Sequence, residues 1–181
     1  MIQKTLEDGN IRIRPIGMQD TDNVIRWRNS PQVQEHFIDQ RPFTREGQEQ
    51  WIMTQVEPGN VAQFIIELLP EGRAVGSVYL RDIDMTHEKA EYGIFIGESG
   101  ARGCGCGTKA AQLILNYAFK TLGLHRVFLR VLADNPIAIG SYQKAGFVQE
   151  GCFRDGVCIK GQYVDLVFMS ILKREWEAMQ K

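Results

Sequence analysis

Apolar and basic residues alternate along Ile11-Arg12-Ile13-Arg14, and this two-residue period predicts a first strand. Pro15 and Gly17 interrupt it. Asp20 or Thr21 then supplies a side-chain oxygen to cap a helix running to about Ser30. Thr44, followed by Gly47-Gln48, opens a second helix to about Val56, and Pro58-Gly59-Asn60 turns the chain. Three apolar-rich runs follow at 61–68, 74–81 and 89–96, separated by short polar turns, and they read as strands with a hairpin at Pro70-Glu71-Gly72. Residues 97–107 are a glycine-rich loop. Beyond it Ala110, Leu113, Ile114, Tyr117 and Ala118 recur at the helical period. Residues 124–132 read as a buried strand, 135–145 as a short helix closed by Gly146, and 147–153 and 163–171 as the last strands before a charged tail. A meander followed by β-α-β-α-β predicts a mixed α/β fold.

The chain has 181 residues and shows no repeat or linker, so one domain over 1–181 is expected. A hydrophobic share of 44% with 24% charged residues excludes wholesale disorder. The 21 basic and 22 acidic residues leave a net charge of -1, too little positive field for a nonspecific nucleic-acid binder. No run approaches the ~18 apolar residues of a membrane span. Met1-Ile2-Gln3-Lys4 leads into Leu6-Glu7-Asp8 without the apolar stretch of a signal peptide, so a cytoplasmic location is expected. Cys104 and Cys106 form a C-x-C inside the glycine run, with Cys152 and Cys158 downstream. That spacing suits a tetrahedral zinc site poorly, so we expect no metal and read all four as small filler in a reducing compartment.

Gly100-Ala101-Arg102-Gly103-Cys104-Gly105-Cys106-Gly107-Thr108-Lys109 joins a strand to an amphipathic helix. Glycines at alternate positions let several backbone N–H groups turn toward one anion, and the helix adds the positive end of its dipole. The combination suits a pyrophosphate; a ligand-free glycine turn is the plainer alternative. The nucleoside-triphosphate loop needs G-x-x-x-x-G-K-[ST], whereas here Lys109 follows Thr108. The dinucleotide fingerprint needs G-x-G-x-x-G and an acid ~20 residues on, and residues 121–124 hold none.

Asn135, Ala138, Tyr142, Lys144, Gly146 and Phe147 follow the spacing N-x-x-A-x-x-x-Y-x-K-x-G-F, and Arg102, Gly105 and Gly107 follow R/Q-x-x-G-x-G/A upstream. Together, in this order, they resemble the GNAT superfamily of acyl-CoA-dependent N-acetyltransferases. Gly123-Leu124-His125-Arg126-Val127, with the ending from Tyr163-Val164-Asp165 to Met169-Ser170 and Leu172, is similar to the branch acetylating ribosomal-protein N-termini, polyamines and amino sugars. Trp27-Arg28-Asn29-Ser30-Pro31 with Val33, and Trp51-Ile52, resembles the nucleotide-amino-sugar enzymes of flagellin-sugar synthesis. The resemblance implies a central twisted, mostly antiparallel sheet with one splayed parallel pair and flanking helices. It also implies acetyl-CoA as co-substrate and a homo-oligomer, dimer or larger. Backbone groups of Ile94, Phe95 and Ile96 would hold the pantetheine as a pseudo-strand. The pyrophosphate would sit on Arg102, Gly103, Cys104, Gly105, Cys106, Gly107 and Thr108, with Asn135 and Lys144 as further cofactor contacts.

Acetyl transfer requires a deprotonated amine and a stabilised leaving thiolate. An alkyl amine has a pKa of ~10.4, so a proton acceptor helps, and the resemblance points to Glu91; the alternative is a strand-edge glutamate facing solvent. Tyr142 is the matched acid for the thiolate, since a phenol with pKa ~10 stays protonated at neutral pH; the alternative is an aromatic packing a helix on the sheet. Asn135 can hold the pantetheine, cap its helix, or do both. His36, His87 and His125 form no nucleophilic triad; His125 reads as structural, and His87 is placed on the acceptor side. No cysteine stands in an acyl-carrying arrangement, which favours direct transfer in a ternary complex. Residues 104–181 carry ten basic and six acidic side chains, leaving an acid excess upstream. That asymmetry predicts an acidic acceptor face and a cationic acceptor, a small amine such as spermidine or another polyamine. The alternatives are an amino-sugar nucleotide, a ribosomal-protein N-terminus, or an acyl-CoA-binding module without turnover.

Overall fold

Residues 4–180 are described by the structure, a computed structural model; residues 1–3, which entered the reading of the chain's start, and residue 181 lie outside them. The alternating segment becomes β2 (Ile11–Pro15), preceded by β1 (Leu6–Asp8). After α1 (Thr21–Arg28), α2 (Pro31–Gln34) and α3 (Arg45–Trp51) come β3 (Ala62–Leu68), β4 (Arg73–Asp84) and β5 (Lys89–Ile96). The second half is α4 (Cys106–Asn116), β6 (Arg126–Leu132), α5 (Pro136–Lys144), β7 (Val148–Ile159), β8 (Gln162–Leu172) and α6 (Lys173–Met179). The eight strands share one sheet in the order β1-β2-β3-β4-β5-β6-β8-β7. Only β5 and β6 pair in parallel; the other neighbours are antiparallel. This is the mixed α/β architecture expected.

Both faces of the sheet are covered, so the central strands read as continuous apolar runs rather than alternating ones. On one face Ile13, Phe64, Ile66, Val78 and Tyr92 pack with Ala110, Ile114 and Leu115 of α4. On the other, Ile65 and Phe95 pack with Val24, Trp27, Ile52 and Val56 of the α1–α3 layer. The two-sided burial of β3 explains its unbroken row of buried residues.

Several boundaries differ from those expected, each for a local reason. The helix read to Ser30 ends at Arg28, because Ser30 starts α2 with Pro31 at its first turn. The helix after the glycine loop begins at Cys106, inside the stretch read as loop, with Gly105 as its left-handed N-cap. β7 runs on past Phe153 to Ile159, with register shifts between Gln149 and Gly151 and between Phe153 and Val157. These bulges admit Arg154-Asp155-Gly156, turn-forming residues that read as a strand end. The cysteine reading needs correction as well: all four are free, but only Cys106 is buried, while Cys104, Cys152 and Cys158 are exposed.

One contact ties the α1 layer to the sheet. The fully buried Trp27 stacks edge-on against Phe95, with centroids 6.2 Å apart, and donates its Nε1–H to Glu98 at 2.7 Å. Its ring lies where a Cβ on Gly97 would stand, 2.0 Å from the indole Cγ. Gly97→Ala must therefore displace a side chain held on both sides, and about 1–3 kcal/mol of stability should be lost. Urea unfolding checks this; unchanged stability would mean that the indole is free to shift.

Candidate active site

β5 and β6 pair through Lys89↔Arg126, Ala90↔Val127 and Glu91↔Phe128, and there the register ends. From Tyr92 to Ile96 no strand among the described residues pairs with the β6-facing edge of β5, so backbone groups there, apart from the Ile96 carbonyl that Arg102 engages, are left for another partner. Ile94, Phe95 and Ile96 lie on this open edge. A ring cluster stands beside the gap: Tyr92 meets Tyr142 at 5.9 Å and Phe147 at 5.3 Å. A cleft of ≈ 1440 Å³ runs through the gap, bordered by β5, α4, α5 and the 36–48 segment. It exceeds the ~300–1,000 Å³ typical of a single-ligand pocket, leaving room for two substrates side by side.

At one end of the cleft lies the glycine loop. Gly103 and Gly105 have φ of +75° and +81°, a region other residues enter only with strain, and no atom lies within 4 Å of a Cβ at either. The N-terminus of α4 begins there, so unpaired N–H groups and the helix dipole face the same opening. Gly107, Thr108 and Arg102 also line it, and Arg102 donates Nε–H to the Ile96 carbonyl at 3.2 Å. Cys104 and Cys106 both donate their thiols to the Ala101 carbonyl, at 2.9 and 3.0 Å. Burial, with the neighbouring Cys104, pushes the Cys106 thiol up to about 12, which makes it a poor nucleophile.

α5 brings Asn135, Tyr142 and Lys144 to the cleft. Asn135 caps the helix, accepting the Ala138 N–H at 3.1 Å, so the capping reading holds. Tyr142 is held protonated: burial raises its pKa above the phenolic value, and Tyr79 nearby adds to the shift. The phenol is therefore a proton donor at neutral pH.

Glu91 stands on the opposite face of β5 from Tyr92, and its side chain is only 6% exposed. Arg130 donates to its two oxygens at 3.0 Å each, and Arg81 at 3.0 and 3.3 Å. Burial alone would raise the Glu91 pKa, but these donors outweigh it and hold the carboxyl below its ordinary range. A carboxylate so stabilised is a weak base, and both oxygens are engaged; the clamp does not suit the proton acceptor expected here. Arg81 faces Glu91 across the β4–β5 ladder and Arg130 comes from the next strand, so only the sheet topology reveals the trio.

The acceptor side corrects the expected acidic face. The only carboxylates lining the described cleft are Glu91 and Asp39, against Arg28, Arg41, Arg81, Arg102, Arg130 and Lys144. The upstream acids are engaged elsewhere: Glu67 binds Arg12 and Arg14, Asp20 binds Arg14, and Glu98 binds Arg26 and Trp27. His87 is exposed, pairs with Asp84 at 2.7 Å and does not line the cleft, contrary to its expected placement; His36 does line it. Arg28, part of the Trp27-Arg28-Asn29 likeness, lines the cleft, as do Gln48 and Tyr79, of which the sequence gives no sign. No group of three His, Cys, Asp or Glu side chains among the described residues could hold a metal ion, and no helix there is long and apolar enough to cross a membrane.

Comparison with known proteins agrees with this architecture. The acetyltransferase (GNAT) domain model matches residues 10–148. YdaF of Bacillus subtilis, provisionally named a ribosomal N-acetyltransferase, is 37% identical over 110 residues, 61% of this chain and 60% of that protein. The spermidine N(1)-acetyltransferase of Escherichia coli is 27% identical over 95% of this chain and 91% of its own length. The crystal structure of spermidine N-acetyltransferase from Vibrio cholerae, in complex with CoA and spermine, superposes with a TM-score of 0.87 at 24% identity, over 94% of this chain and 99% of the other, which shows a shared fold.

The clamp carries a pH dependence. The Glu91 pKa is lowered on folding, so its stabilisation is present above the unfolded value of about 4.3 and is lost as pH falls through the folded value. Glu91→Gln should destabilise the protein by about 1–3 kcal/mol at neutral pH, with the gap from wild type narrowing in acid. Urea unfolding at about pH 7 and about pH 3.5 measures both; an equal gap at the two values would show that the arginines do not hold an ionised carboxylate.

Proposed function

The chain belongs to the GNAT acetyltransferase family, and from that membership together with the cleft we propose that it moves the acetyl group of acetyl-CoA to the primary amine of a small molecule. The observation that carries this reading is the open edge of β5 beside a glycine-lined helix N-terminus. An extended amide chain can add to the first and a pyrophosphate can rest on the second. Gly103, Gly105, Gly107 and Thr108 would hold the pyrophosphate, Ile94, Phe95 and Ile96 the pantetheine, and Lys144 lies close enough along the cleft to add charge. The space at Gly103 and Gly105 that a Cβ would occupy fits such a ligand. All eight strands share one sheet, which supports a single acetyltransferase domain.

In this reading the amine attacks the thioester carbonyl directly, and holding the two together supplies much of the rate. The raised pKa of Tyr142 keeps a proton on its phenol, and this donor serves the departing thiolate. Glu91 acts as a strut that holds Arg81 and Arg130 across the floor of the acceptor side, while the proton of the amine leaves through water in the cleft. Spermidine is the acceptor of the Escherichia coli and Vibrio cholerae relatives, which supports a polyamine. The alternative is an amine of the amino-sugar-nucleotide kind. The side chains around Arg28 bear on that choice.

Tyr142→Phe keeps the ring and removes the donor, so kcat should fall about 10- to 1000-fold while CoA affinity changes little. Steady-state thiol release measures the first and calorimetry the second; wild-type turnover would assign the proton to water. Gly105→Val forces a branched residue into a left-handed cap at the loop, and CoA should bind at least about tenfold more weakly. Unchanged CoA affinity in the folded variant would remove the loop from the site.

A further inference from the structure

We infer that the acceptor carries, besides its amine, an anionic group, a carboxylate or a phosphate, which is held by the guanidinium of Arg28 together with the amide of Gln48. The inference rests on the acetyl-transfer reading and puts an anion-bearing acceptor in place of the polyamine.

Arg28 closes α1 directly after the anchored Trp27 and is 7% exposed, unusually deep for an arginine. Its guanidinium carbon lies 3.2 Å from the Phe37 ring centroid and 4.4 Å from that of Phe43, so two rings pack against the group. Nε and Nη1 have no hydrogen-bond partner, and Nη2 reaches only the Asp39 carbonyl at 3.4 Å. The Asp39 carboxylate is engaged by Arg41. Burying a cation is costly when its nearest carboxylate, Asp39, is hydrogen-bonded to another arginine, and here two of its donors lack a hydrogen-bond partner. Burial lowers the Arg28 pKa to about 10, which still leaves it charged at neutral pH.

Gln48 supplies a second, separate observation. It projects from α3, is 3% exposed, lines the same cleft, and its Nε2 also lacks a partner. Two unfilled donor groups from different helices call for a ligand rich in acceptor atoms. A carboxylate or a phosphate fits the guanidinium edge with two parallel hydrogen bonds and leaves further lone pairs for an amide. The Arg81–Glu91–Arg130 trio adds a net positive charge nearby. A polyamine would bring ammonium groups to a wall whose two carboxylates are already paired.

The test uses matched amines with acetyl-CoA and the intact protein, reading kcat/KM from thiol release. Phenylalanine is paired with phenethylamine, glucosamine 6-phosphate with glucosamine, and spermidine stands alone. The expected result is that at least one member bearing the anion exceeds its partner without it by tenfold or more, the pair that responds telling carboxylate from phosphate. Arg28→Met should erase that difference, chiefly through KM, and Arg28→Lys should restore part of it; calorimetric CoA binding shows that each variant is folded. Because the wild-type pairs decide the matter alone, a variant that fails to fold leaves the test intact. Spermidine or the partners without the anion turned over as well as the members bearing it would overturn the inference and leave acetyl transfer standing. No turnover of any amine by protein that binds CoA would overturn both.

Discussion

The parting of β5 and β6 after three paired residues is the constraint on which the site depends. A parallel pair that continued would satisfy its own backbone and leave nothing to bind. Because the ladder stops at Glu91, the groups from Tyr92 onward need another partner, and the gap must be propped open. The rings of Tyr92, Tyr142 and Phe147 do this from the α5 side, while α4 starts at the mouth with unpaired N–H groups. One break in one ladder thus produces a slot for an extended chain, a seat for an anion and a place for a phenol.

Charge is organised on a different principle from the chain's totals. A net of -1 conceals a cleft in which arginines outnumber carboxylates. The surplus acids upstream serve as partners for arginines on the outer strands and on α1 and α3. Glu91 is the exception, brought inward and divided between two guanidinium groups. Sharing one carboxylate holds both arginines in place without cancelling them, which leaves a fixed positive surface facing the acceptor.

The strand and helix order was readable from hydrophobic periodicity, because the central strands and α4 bury at least one face. The glycine loop was also legible: Gly103 and Gly105 have positive φ, and that need shows as glycine in the sequence. The partners of Glu91 were not. Arg81 is ten residues upstream and Arg130 thirty-nine residues downstream, and nothing local marks them as neighbours. The burial of Arg28 was not legible, since a helix-ending arginine usually reads as solvent-facing. Its burial follows from Phe37 and Phe43 folding over it, a tertiary event with no periodic signature. Summed charge failed for the same reason: pairing, which decides where charge survives, is invisible in counts.

β7 is an edge of the sheet, twelve residues long and largely exposed. A flat strand of that length would offer a row of free N–H and C=O groups to any extended chain, and such rows seed aggregates. The two bulges near Gly151 and Asp155 interrupt the row twice and twist the strand between them. Charges at Arg154 and Asp155 sit on the second interruption. The irregularity that made this strand hard to delimit thereby also works against sideways growth of the sheet.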